Sequence, residues 1–174
     1  MNIRKARLED AVSIAQVHVA SWRTTYAGIF PSDFLAGLSV EKRTEFWRGV
    51  LVNPQESNCL YVAENKLGQI FGFVAAGPER TQYPGYTSEL YAIYLLQAAQ
   101  GLGRRLVKAA VEYLVEHHYI SMLVWVLADN PSRKFYEALG GVKIAEKPIV
   151  IGEMAVLETA YGWQDSNQIL IDFR

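Results

Sequence analysis

The stretch from Glu89 to Leu127 constrains the fold more than any other. "ELYAIYLL" reads as a strand, the residues around Gly101 and Gly103 as a short turn, Leu102 to His117 as a helix, and "SMLVWVLA" as a second strand. Two strands joined through a helix run parallel, because only a long crossover returns the chain to the same end of a sheet. The second strand is apolar without alternation, as a strand covered on both faces must be. Any sheet built by this chain therefore contains one parallel crossover near its buried centre.

The rest of the sequence supplies antiparallel neighbours and helices. "CLYVAEN" and "QIFGFVAAG" form a hairpin around the polar turn "NKLG", and "KIAEKPIVIGEMAVLETAYGW" forms two strands turning near Gly152. "IRKA" is a short first strand. A helix is expected from Leu8 to Tyr26, with Leu8, Val12, Ala15, Val19 and Trp22 on its inner face. Pro31 opens a helical turn, and Ser39 caps a helix that turns Phe46, Val50 and Leu51 inward. Asn130 and Pro131 start another helix, with asparagine as cap and proline first, which closes at Gly140-Gly141. The tail "QDSNQILIDFR" carries no clear pattern. These elements predict an α/β (α+β) fold: a mixed, largely antiparallel central sheet with helices on both faces, in one domain over residues 1–174.

Composition narrows the partners. The net charge of −1 supplies no field for nucleic acid or an anionic membrane surface, so any anion site must be local. No hydrophobic signal segment and no membrane-length apolar run is present, and the single cysteine, Cys59, suits a reducing cytoplasm and a buried strand position. A monomer or a small oligomer such as a homodimer is expected, and no spacing suggests a metal site.

The glycine turn is where an anion would sit. Gly101 and Gly103 let the backbone curl, the helix behind them presents unpaired N–H groups, and Arg104 and Arg105 add charge. A tight connection with two solvated arginines is the other reading. A nucleoside-triphosphate loop would need a glycine-lysine-serine/threonine ending, and a dinucleotide fingerprint a third glycine where Leu106 stands. Both are excluded.

The chain from Cys59 to Gly141 resembles the GCN5-related N-acetyltransferase superfamily. The resemblance is carried by "ELYAIYLL", "GLGRRLVKAAVEYL", "LVWVLADN" and "NPSRKFYEALGG", and more weakly by "SWRTTYAGIFP" and "YGWQD". It implies acetyl-CoA as donor, with the diphosphate at a turn of pattern glutamine/arginine-x-x-glycine-x-glycine/alanine. The residues so implied are Gln100, Gly101, Leu102, Gly103, Arg104 and Arg105. It further implies pantetheine contacts from the backbone of Ile93, Tyr94 and Leu95 and from Asn130 and Ser132. Tyr136 would protonate the departing thiolate, since a tyrosine keeps its proton at neutral pH where a thiol of pKa about 8.5 is readily ionised.

The acceptor would be a primary amine of a small molecule or peptide, mostly protonated at neutral pH because such amines have a pKa of about 10.4. Glu89, at the start of the same strand, is the candidate base, although an ordinary strand-end carboxylate fits the position equally. Trp22, Arg23, Tyr26, Phe30, Tyr83 and Tyr86 offer an aromatic acceptor pocket or plain packing. Two registers of the turn stand. One keeps Gly101 and Gly103 as the pattern glycines, with Ala98 in the glutamine position and a strand-to-helix link about two residues short. The other anchors on Gln100 and puts Arg105 where a glycine belongs. The apolar stripe through Leu102, Leu106 and Ala110 favours the first. A non-catalytic acyl-CoA-binding module on the same fold is the alternative function.

Overall fold

Strands β1 (Asn2–Lys5), β2 (Cys59–Glu64), β3 (Ile70–Pro78), β4 (Ser88–Leu95), β5 (Met122–Leu127), β6 (Val142–Ile151) and β7 (Met154–Trp163) hydrogen-bond into one sheet ordered β1-β2-β3-β4-β5-β7-β6. The computed structural model describes residues 1–96 and 101–171. Every pairing is antiparallel except β4 with β5, the parallel crossover. Helices α1 (Ala11–Thr25), α2 (Ser32–Ala36) and α3 (Val40–Val52) precede the hairpin; α4 (Leu102–Glu116) makes the crossover, and α5 (Arg133–Glu137) and α6 (Asn167–Ile171) follow. No described helix is long and apolar enough to cross a membrane.

Side-chain alternation on β3 divides the core. Val74 and Ala76 join the cluster under α4, whereas Phe73 and Ala75 join the cluster under α1 and α3. Leu102, Leu106, Ala110 and Leu114 of α4 are buried on one face, as their spacing predicts. A third cluster, with Tyr26, Phe30, Leu35 and Leu127, closes the corner between the end of α1, α2 and the β6–β7 hairpin.

The first and third helices differ in detail from expectation. Residues 8–10 form a separate 3-10 turn, because Arg4 grips Asp10 with two nitrogens at 2.7 and 3.0 Å while Asp10 also accepts the Arg7 amide. That turn leaves Leu8 and Val12 exposed, and the buried face of α1 runs through Ala11, Ile14, Ala15, His18 and Val19 instead. Ser39 does cap α3, accepting the Lys42 amide at 3.1 Å. Its inner stripe is Val40, Trp47 and Leu51; Phe46 and Val50 face outward. The tail forms α6 with Ile169 fully buried. Cys59 is buried in β2, and burial pushes its thiol up to about 12.

Candidate active site

β4 pairs with β3 along its length but with β5 only at Ser88–Met122 and Glu89–Leu123. Ala75 lies opposite Ala92 and Ala76 opposite Leu90, so Tyr91 is one extra residue, a β-bulge. The bulge breaks the alternation: Tyr91 and Ala92 both pack on the α1 side, while Leu90, Ile93 and Leu95 face α4. Beyond it the two strands part and leave a cleft of about 190 Å³. Its walls include Leu90 to Leu95, Val124 to Leu127, Trp22, Tyr26, Asn130 and Tyr136. β5 pairs with β7 on its far side and β4 with β3, so the two edges facing the cleft carry no partner strand. Unpaired edge amides and carbonyls are a template for an extended ligand.

Behind the open end of β4 stands the start of α4. Gly101 caps it with φ +78°, a left-handed conformation that favours glycine. The first helical bond runs from the Arg105 amide to the Gly101 carbonyl at 3.0 Å, which leaves the Leu102 and Gly103 amides outside the ladder. A Cβ on Gly103 would lie 3.3 Å from Leu95 and 3.4 Å from Phe135, so glycine permits α4 to approach both β4 and α5. The side chain of Leu102 is buried in the core, and only its backbone is left for a ligand. The Arg104 guanidinium donates to the Ala138 carbonyl at 2.8 Å and that of Arg105 to Met1 at 3.0 Å, so both are engaged with backbone carbonyls. Gln100, and Ala98 with the shortened link, lie outside the described residues.

Four tyrosines line the cleft, and three have hydrogen-bonded hydroxyls. Tyr26 accepts from Asn130 at 3.2 Å, Tyr94 accepts from the Trp22 indole at 2.9 Å, and Tyr91 donates to the Pro78 carbonyl at 2.6 Å. The Tyr136 hydroxyl makes no hydrogen bond with another described residue. Burial, reinforced by Tyr94 and Tyr26, raises its pKa well above the usual phenol value, so it stays protonated. Asn130 caps a turn rather than the helix proper. Its Oδ1 accepts the Ser132 amide at 2.8 Å, and the turn through Pro131 hands over to α5 only at Arg133, because residues 130–134 take tighter i→i+3 bonds. Ser132 also lines the cleft. Gly140, with φ +79°, ends the turn after α5 as expected.

The structure does not bring Glu89 into the cleft. It is 3 % exposed, and Arg80 grips both its oxygens, at 2.6 Å on one and through Nε at 3.1 Å on the other. A buried carboxylate needs such a partner. Of the aromatic candidates, Trp22 and Tyr26 line the cleft, Phe30 packs in the corner cluster, and Arg23 caps the end of α2 by donating to Leu35, Ala36 and Leu38. Glu158 of β7 is the carboxylate that does line the cleft, and sequence reasoning passed it over. Its signal was present: it is the sole charge in "MAVLETAYGW".

Comparison with known proteins agrees with this geometry. The family model described as FR47-like protein matches residues 75–150. The uncharacterized N-acetyltransferase YuaI of Bacillus subtilis (strain 168) is 40% identical over 167 residues, covering 95% of this chain and 94% of that protein. Among solved structures, the PaiA N-acetyltransferase of Thermoplasma acidophilum, in complex with coenzyme A, has a TM-score of 0.74 at 20% identity, over 93% of this chain and 98% of that one. A ribosomal-protein-alanine N-acetyltransferase of Brucella melitensis has a TM-score of 0.70 at 20% identity, over 94% of this chain and 99% of that one. The fold is thus that of an acyltransferase. The chain belongs to the GCN5-related N-acetyltransferase superfamily.

Proposed function

We propose that this protein transfers an acetyl group from acetyl-CoA to a primary amine of a small molecule or peptide, by direct attack while both substrates are bound. The observation that carries this reading is the Tyr136 hydroxyl, unbonded among the described residues, in a cleft with two open strand edges. Acetyl-CoA supplies an activated acetyl thioester. The Leu102 and Gly103 amides, at the positive end of α4, would receive the diphosphate, with Arg104 and Arg105 adding positive charge nearby. The β4 edge at Ile93 to Leu95 would hold the pantetheine arm as an added strand, and Asn130 and Ser132 would flank it. The neutral amine nitrogen bonds to the acetyl carbon and sheds a proton to solvent, the carbon–sulfur bond breaks, and Tyr136 gives its proton to the sulfur and regains one from solvent.

Tyr136 is a weak acid in this site, but the sulfur leaves into the same dry surroundings. Burial raises a thiol as well, as Cys59 illustrates, so the two proton affinities move together. Cys59 lies buried in β2 and is not among the residues lining the cleft, which favours direct attack over an acyl-cysteine route.

The test is thiol release from acetyl-CoA against a panel of primary amines and peptides, wild type beside Tyr136→Phe. We expect turnover with at least one amine, and a loss of about a hundredfold in kcat in the variant with KM for acetyl-CoA little changed. Tight CoA binding with no thiol release across the panel would favour the acyl-CoA-binding module. Equal turnover by Tyr136→Phe would remove the tyrosine from the reaction.

A further inference from the structure

On the β6–β7 side of the cleft, Trp125 and Glu158 share a wall with an unusual guest. Trp125 lies on β5 and Glu158 on β7, opposite Leu127 and so diagonal to Trp125 on the same face. The ammonium of Lys147, paired across β6 and β7 with Glu158, sits 3.8 Å from the centre of the Trp125 ring and 3.9 Å from the Glu158 carboxylate. A ring face beside a carboxylate is what a primary ammonium needs: the ring quadrupole attracts the charge and the carboxylate accepts its N–H groups.

The hold of Lys147 on that place is loose. At 3.9 Å its nitrogen is beyond hydrogen-bonding distance of the carboxylate, and Glu158 accepts no hydrogen bond from any described residue. Glu89 behaves otherwise, taking the Arg80 fork through both oxygens. Burial raises the Glu158 carboxyl above its ordinary range, an effect that Lys147 and Arg80 oppose and Glu89 strengthens. It therefore has more to gain from a closer cation. Tyr83 braces the indole edge-on, 6.2 Å between ring centres.

We propose that the Trp125 face and the Glu158 carboxylate form the ammonium site of the acceptor, and that Lys147 holds the place until the acceptor displaces it. This rests on the acetyl-transfer reading. The same carboxylate can take one proton from the bound ammonium, which frees the nitrogen lone pair for attack on the acetyl carbon.

The test uses n-butylammonium as probe, with binding read from the Trp125 indole N–H resonance and CoA affinity measured in parallel by calorimetry. Lys147→Ala should bind the probe at least threefold more tightly than wild type. Glu158→Gln should bind it at least tenfold more weakly, and Trp125→Leu, read by calorimetry, several-fold more weakly. CoA affinity should stay within twofold throughout, which separates loss of the site from loss of the fold. In turnover with any amine the panel accepts, Glu158→Gln should raise the KM of that amine far more than that of acetyl-CoA. Unchanged probe affinity in Glu158→Gln with CoA binding intact overturns the proposal, and thiol release by wild type would leave acetyl transfer standing. Probe binding that depends on Glu158, with no thiol release from any amine, would keep the ammonium site and overturn acetyl transfer.

Discussion

The Trp47 indole of α3 donates a hydrogen bond to Nδ1 of His18 on α1 at 3.2 Å, a bond that only the neutral imidazole accepts. The same imidazole stacks on Tyr94, 4.7 Å between ring centres, and Tyr94 lines the cleft. Burial pushes the imidazole pKa down to about 4, and Arg43 adds to the effect. The unfolded chain binds this proton near pH 6.5 and the folded one only near 4, so stability is complete above about 6.5 and is lost as the pH falls toward 4. The loss from His18 approaches about 3 kcal/mol at the bottom of that window. Urea midpoints measured from pH 7 to pH 4 should show it. In His18→Gln, where the amide oxygen replaces Nδ1 without titrating, the slope between pH 6.5 and 4 should flatten; a parallel decline in both proteins would assign it to other groups.

Asn130 ties the end of α1 to the turn before α5, through Tyr26 at 3.2 Å and the Ser132 amide at 2.8 Å. Asn130→Ala removes both bonds and leaves the buried Tyr26 hydroxyl without its donor. We expect about 1–3 kcal/mol lower stability in chemical denaturation. Asn130→Asp keeps the turn bond and replaces the amide donor with an acceptor for the Tyr26 hydroxyl, so it should fall between the two.

The fold was legible where burial imposes period or length. The continuous apolar run of β5 announced a central strand, and the stripe from Leu102 to Leu114 announced the face of α4. The faces of α1 and α3 were not legible, because Leu8, Val12, Phe46 and Val50 are apolar yet exposed, and only the packing of the two helices against β3 selects the buried stripe. In the site, Gly101 and Gly103 stood out as a turn that opens a helix, whereas Tyr136 was singled out by the family resemblance and not by its spacing. The pairing of Glu89 with Arg80, nine residues away across a loop, was not legible, because position along a strand does not reveal such a partner. The bulge at Tyr91 left no trace, since every residue from Leu90 to Leu95 is apolar or aromatic.

Gly141 supports Tyr136 from behind. A Cβ there would come within 2.7 Å of Trp163 and 2.9 Å of the Tyr136 carbonyl, a backbone atom that cannot yield without moving the residue. Gly141→Ala should cost about 1–3 kcal/mol and lower kcat as well. Gly140→Ala is the control: nothing lies within 4 Å of its added carbon, and only the φ of +79° is strained. That substitution should cost about 1 kcal/mol and spare kcat. Melting temperatures with turnover rates would separate the pair, and equal kcat losses would refute the support role.

Arg80→Ala strips the buried Glu89 of its guanidinium, and we expect about 1–3 kcal/mol lost, less than for a fully buried pair because Arg80 itself is exposed. Adding Glu89→Gln should restore part of that loss, since a neutral amide is cheaper to bury alone. A double variant no more stable than Arg80→Ala would count against the charge as the cause. Both variants should retain thiol release, because Glu89 is not among the residues lining the cleft.

The extra residue at Tyr91 gives β4 two halves that are out of phase, the first in step with β5 and the second with β3 alone. The opening is thus maintained by the number of residues in a strand and not by which side chains stand there. Shortening β4 by one residue at Tyr91 would bring the halves back into phase and zip the sheet shut, abolishing the cleft while every other lining residue remained. Substitutions along the walls leave that count untouched. Side-chain changes on the walls can therefore alter what the cleft admits while the backbone count keeps it open.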